Sequence, residues 1–165
     1  MKKLSLIQHL NTNLMTEEPA LNLFFSELCS ELKYNKNEPI YLKGKIPQYL
    51  CYLQKGNALA LSNAGPHRQV LRIWIPGQFI CPIGFFNHAA LTHSIIALDN
   101  CTVQVLGYRQ LYRFLNEFPA GYKIINAIIR EEINLLKLNI MSLQQNKGFQ
   151  NHEAFLEALS VSFNE

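Results

Sequence analysis

The feature that most constrains this chain is a change of hydrophobic period, from helical to two near residue 31 and back to helical after residue 107. The stretch "ELKYNKNEPIYLKGKIPQYLCYLQKGNALALSNAGPHRQVLRIWIPGQF" sets short β-prone runs between Gly and Pro punctuation, at intervals of roughly 8 to 12 residues. That rhythm predicts strands near 39–42, 49–54, 57–63 and 68–75, with two more at 94–98 and 101–106. In "NALALSN", Ala58, Ala60 and Ser62 face one way while Leu59 and Leu61 face the other. "NAGPHR" has the turn chemistry of a hairpin connection. Many short strands joined by turns imply a β-sandwich or a jelly-roll barrel.

Helical spacing frames this region on both sides. Residues 4–15 and 17–28 read as two short helices, the second with Thr16 as N-cap and Glu17 and Glu18 in its first turn. Its Leu21, Phe24, Phe25 and Leu28 fall at helical spacing. "YRQLYRFLNEF" reads as a short helix closed by Pro119, which can itself open the next helix because a first-turn position loses nothing without an N–H. That next helix, about 120–145, is the longest element. In it Ile129, Ile133, Leu136, Ile140 and Leu143 follow steps of four and three, an a/d seam with Asn126 on the preceding a position. β-branched residues at a with Leu at d favour a parallel two-stranded coil, and one polar a residue fixes its register. A homodimer is expected. A second stripe of Ile125, Ile128 and Leu135 is placed to cover the β body.

The 165 residues suit one domain, 1–145, followed by a short helical tail, 146–165. Apolar residues at 48% against charged residues at 16% indicate a globular chain. No apolar run reaches the roughly 18 residues of a membrane span. The start, "MKKLSLIQHLNTNL", is broken by Gln8, His9 and Asn11 before a signal core forms, so a cytoplasmic location is expected. Cys29, Cys51, Cys81 and Cys101 include no Cys-x-x-Cys pair and read as small buried apolar groups. No metal and no cofactor are expected. The net charge of +3 neither demands nor excludes an acidic partner.

Taken in order, these elements resemble the cyclic-nucleotide-binding domain of the catabolite-activator and Fnr-like transcription regulators, in the divergent branch common in Bacteroidetes. "IYLKGKIPQYLCYLQKGNALAL" is similar to the family's strand–Gly–strand–Gly run, with Gly44 and Gly56 at the turns. "LRIWIPGQFI" is similar to the approach to the phosphate-binding cassette. "YRQLYRFLNEFPAGYKIINAIIREEINLLKLNIMSL" resembles the helices that follow. The resemblance implies an α+β fold that is mainly β: a double-stranded β-helix or jelly-roll barrel, short N-terminal helices and a long C-terminal dimerisation helix.

It also implies a ligand chemistry that can be checked by position. In members that bind cyclic nucleotides, a Gly–Glu pair follows the turn and its carboxylate accepts from the ribose 2′-hydroxyl. An Arg with a small neighbour then holds the cyclic phosphate. Here the Gly–Glu position reads Cys81-Pro82, and the Arg position and its neighbour read Thr92 and His93. All of "PGQFICPIGFFNHAALTHSIIAL" lacks Asp, Glu, Lys and Arg. Without a guanidinium fork, cyclic AMP should bind about two powers of ten more weakly. His93 substitutes only if protonated, which needs a negative neighbour. The candidate ligand-binding residues that remain are Phe79, Cys81, Pro82, Ile83, Gly84, Phe85, Thr92, His93 and Ser94, the aromatic and aliphatic ones first of all core and pocket wall. Trp74 reads as structural.

The expected function is a non-enzymatic regulatory module with an unidentified small-molecule effector and a degenerate cyclic-nucleotide site. The alternative is a ligand-free dimeric interaction protein. A cupin-type metal enzyme fits less well, since no His-x-His occurs among His67, His88 and His93 and Asp99 is the only aspartate. Family members continue into a winged helix-turn-helix. The residues after Leu143 are acidic and lack a basic recognition helix, so this chain is not expected to bind DNA directly.

Overall fold

The computed structural model describes residues 6–12, 18–62 and 69–145. The chain begins with α1 (Leu6–Thr12) and α2 (Pro19–Glu27). α1 buries Leu6, His9 and Leu10, one face at helical spacing. α2 corrects an expectation: Glu18, not Thr16, is its N-cap, and no acidic residue lies in its first turn. The cause is Pro19 at the first helical position, because the residue before a proline is pushed out of helical geometry. Thr16 and Glu17 lie outside the described residues.

Eight antiparallel strands follow among the described residues. One sheet has the order β1 (Ser30–Tyr34), β8 (Cys101–Gly107), β3 (Tyr49–Lys55), β6 (Phe79–Ile80). The other has the order β2 (Pro39–Tyr41), β7 (Ser94–Ala97), β4 (Ala58–Ser62), β5 (Gln69–Trp74). Six of the eight fall where the period-two pattern expects them. β1 and β6 were not expected: four of the five β1 residues are exposed, so no alternation marks it, and β6 is only two residues long.

Strand alternation builds two cores from one sheet. Cys51, Leu53, Val103 and Val105 face the second sheet and meet Ile40, Tyr41, Ala58, Ala60, Trp74, Ile95 and Ala97. Leu50, Tyr52 and Leu106, on the opposite face, meet the helices. The small Ala58 and Ala60 point inward, which settles the direction of "NALALSN". The tight β3–β4 turn needs Gly56, which has φ of +81° and lies so close to Asp99, Asn100 and Cys101 that a Cβ would overlap them. The sole aspartate is structural here. Its carboxylate accepts from the Asn57 backbone N–H at 2.7 Å and from Asn57 Nδ2 at 2.8 Å.

β8 runs into α4 (Tyr108–Glu117), a 3-10 turn at Pro119–Gly121, and α5 (Tyr122–Gln145). Leu111 and Phe114 of α4, and Ile124, Ile125 and Ile128 of α5, complete the helix-side core. The chain divides into one compact unit ending at Glu132 and a second beginning at Ile133, within α5. In the second, Ile133 and Leu136 are 44% and 43% exposed. The side chains of Ile140 and Leu143 and the tail 146–165 lie outside the described residues. No described helix is long and apolar enough to cross a membrane.

Candidate functional site

The cassette starts at the Pro76–Gly77 turn and passes through β6, whose two residues feed two cores. Phe79 enters the helix-side core, its ring 5.1 Å from that of Tyr52 and 5.7 Å from that of His9. Ile80 enters the core between the sheets. Cys81 and Pro82 are buried, and burial pushes the Cys81 thiol up to about 12. A single helical turn, α3 (Gly84–Asn87), follows. Gly84 lies where a Cβ would overlap the Ala89 carbonyl oxygen. Phe85 is buried edge-on to Phe86 and Tyr108, whereas Ile83 is 78% exposed. His88 takes the left-handed conformation, φ 53°, and ends the turn with its ring against Tyr108.

The loop back to β7 carries the rest of the candidate residues. Leu91 accepts from Gly44 N–H at 2.8 Å and donates to the Lys45 carbonyl at 3.0 Å, which fixes the loop to the β2–β3 connection. Thr92 is exposed, its Oγ1 3.1 Å from His93 Nδ1. Burial holds His93 below its usual value, because it disfavours the charged imidazole. Ser94 Oγ accepts from the Lys43 backbone N–H at 3.0 Å. Phe79, Cys81 and Phe85 therefore share one core, Thr92 and His93 contact each other on the loop, and Ser94 bonds to Lys43. On α5, Asn126 is exposed and Ile129 packs partly against the helix-side core.

The charged chemistry that the cassette lacks lies on β5. Arg72 pairs with Ala60 and Trp74 with Ala58 across the ladder, so both side chains project inward with the alanines. Arg72 is 8% exposed and its guanidinium lies 4.4 Å from the centre of the Trp74 ring. Both terminal nitrogens donate to Glu132 of α5, Nη2 to Oε2 at 3.0 Å and Nη1 to Oε1. Burial raises the Glu132 carboxyl above its usual value, more than the hydrogen bonds and charge of Arg72 lower it. Trp74 shares the core between the sheets with Ile80 of β6, which leads into the cassette. The preceding Glu131 takes a separate partner: His9 Nε2 lies 3.1 Å from its Oε2.

Neither Arg72 nor Glu132 was among the residues expected from the sequence. A signal was present, since the parity of "VLRIW" sets Arg72 on the same face as Trp74. Among the described residues, no three His, Cys, Asp or Glu side chains are placed to hold a metal ion.

The family model for the cyclic nucleotide-binding domain matches residues 31–118, from β1 to the end of α4. No curated protein sequence matches the chain. Among solved structures, the catabolite activator protein of Thermus thermophilus aligns over 81% of this chain with 15% identity and a TM-score of 0.65. The regulatory subunit of a cAMP-independent protein kinase A from Trypanosoma cruzi, bound to guanosine, aligns over 81% with 17% identity and a TM-score of 0.62. The c-di-GMP-responsive global regulator CLP of Xanthomonas campestris aligns over 80% with 16% identity and a TM-score of 0.66. The alignments span 63%, 50% and 65% of those three chains, less than two thirds of each. At these identities the likeness is one of fold.

Proposed function

This chain belongs to the cyclic nucleotide-binding domain family, and from that premise we propose that it is a ligand-sensing regulatory module whose cassette no longer grips cyclic AMP through the usual acid and arginine. One observation carries the reading: the two charged positions of the cassette hold Cys81-Pro82 and Thr92-His93, so neither the acid nor the arginine is present there. A cyclic phosphate entering there would meet no guanidinium, and burying an unpaired anion is strongly unfavourable. The guanosine-bound and c-di-GMP-responsive neighbours support a barrel of this fold serving ligands other than cyclic AMP.

The module is non-enzymatic, cytoplasmic and dimeric in this reading. The raised Cys29, Cys81 and Cys101 thiols make poor nucleophiles, and the Asp99 carboxylate is committed to Asn57. A second copy of the chain is the proposed partner, packed along the a/d seam of α5, where Ile133 and Leu136 stand exposed. The reading is tested by thermal shift of the full chain against cyclic nucleotides, nucleosides and small organic acids. A ligand that binds only the folded state raises the melting temperature. A panel that moves it for no compound sinks the effector reading. One observation favours the second reading, a ligand-free interaction protein: Arg72 is already saturated by Glu132.

A further inference from the structure

We propose that Arg72 is the anion-recognition group of the effector site, and that Glu132 occupies it as a tethered carboxylate until an effector's own carboxylate or phosphate takes its place. This inference rests on the effector-sensing reading above.

Four observations converge on it. Among the described residues, Arg72 is the one Arg or Lys that is buried. Its planar fork is engaged by two carboxylate oxygens, and the same fork accepts a phosphate without change of geometry. The Trp74 ring that it covers carries a buried Nε1–H with no hydrogen-bond partner. Native proteins seldom leave such a donor unmet, so the ring offers an N–H that a polar ligand can satisfy. Finally, the Trp74 ring under Arg72 shares the core between the sheets with Ile80, the last residue of β6 before the cassette turn.

A buried ion pair of this kind is a poor stabiliser, because desolvation offsets most of its attraction, and its best-attested use is as a switch or register device. Glu132 is also the last residue of the first compact unit, immediately before the exposed Ile133. Displacing its carboxylate acts on α5 within the proposed dimer seam, next to Ile133. A tethered competitor of this sort has an effective concentration on the order of millimolar, so an external anion binds weakly while Glu132 is present.

The test uses the full chain and its single tryptophan, Trp74, as the reporter. Tryptophan emission is followed against inorganic phosphate, with chloride holding the ionic strength constant. Glu132→Gln is expected to give a saturable change whose midpoint lies at least tenfold below that of the unaltered protein. Adding Arg72→Gln is expected to abolish it. Equal midpoints in the two proteins, or a response that survives loss of Arg72, would overturn the assignment. If Glu132→Gln does not fold by circular dichroism, Glu132→Asp keeps the charge and withdraws the carboxylate by one methylene. It is expected to shift the midpoint the same way, and a midpoint unmoved from the unaltered protein overturns the assignment equally. The two readings fail separately. A metabolite that raises the melting temperature equally with and without Arg72 leaves effector sensing standing and removes Arg72 from it.

Discussion

Arg72 of β5 and Glu132 of α5, 60 residues apart in sequence, meet as a two-bond ion pair with Nη2 and Oε2 3.0 Å apart. The pair joins β5, at the edge of its sheet, to the long helix, and its side chains are 7% and 14% exposed. Arg72→Met alone is expected to cost about 3–5 kcal/mol, because it leaves a buried carboxylate unpaired. Arg72→Met with Glu132→Leu is expected to recover most of that loss. Urea denaturation of the two variants checks this, and equal losses would mean that the pair has no coupling.

Gly84 and Ile83 are neighbours with opposite tolerances. Gly84→Ala drives a Cβ into the Ala89 carbonyl and towards Pro47, so a loss of roughly 1–3 kcal/mol is expected. Ile83→Ser, at a residue 78% exposed, is expected to change stability by less than about 0.5 kcal/mol. Thermal melts of both variants decide whether the turn of α3 is held by close backbone approach.

His93 gives a pH dependence with a definite sign. Its folded value lies below the ordinary 6.5, so between the two values the unfolded chain binds more protons. Stability from this group is present above about 6.5 and is lost as pH falls through the folded value. His93→Asn is expected to flatten that part of the profile. Melting temperatures at intervals from pH 5 to 7.5 provide the check, and an unchanged slope would assign it to other groups.

The seam on α5 is testable through charge. Ile133→Glu with Leu136→Glu places four carboxylates in a two-stranded core and is expected to yield monomers in sedimentation velocity. A sedimentation coefficient unchanged from that of the unaltered protein would refute the seam. Both residues are exposed in the single chain, so its own fold is expected to survive.

The strands and helices were legible wherever burial imposed a period. β3 alternates Leu50 and Tyr52 against Cys51 and Leu53, and its two faces serve two cores. β1 escaped because its surface is almost wholly exposed, leaving composition with nothing to alternate. The start of α2 was misplaced because Thr16 offers good capping chemistry, while Pro19 sets the boundary through backbone sterics. The cassette positions were assigned from their order after the Pro76–Gly77 turn, where the structure has the single helical turn α3. The ion pair was not, since it joins residues brought together only by the fold, although strand parity already turned Arg72 inward.

A cassette without the family's acid and arginine is expected to hold cyclic AMP weakly. Isothermal titration calorimetry of the purified full chain with cyclic AMP tests it most directly. Binding at least about a hundredfold weaker than low micromolar is expected, as the loss of a charge-assisted fork implies. Saturable, stoichiometric uptake at low micromolar concentration would contradict it.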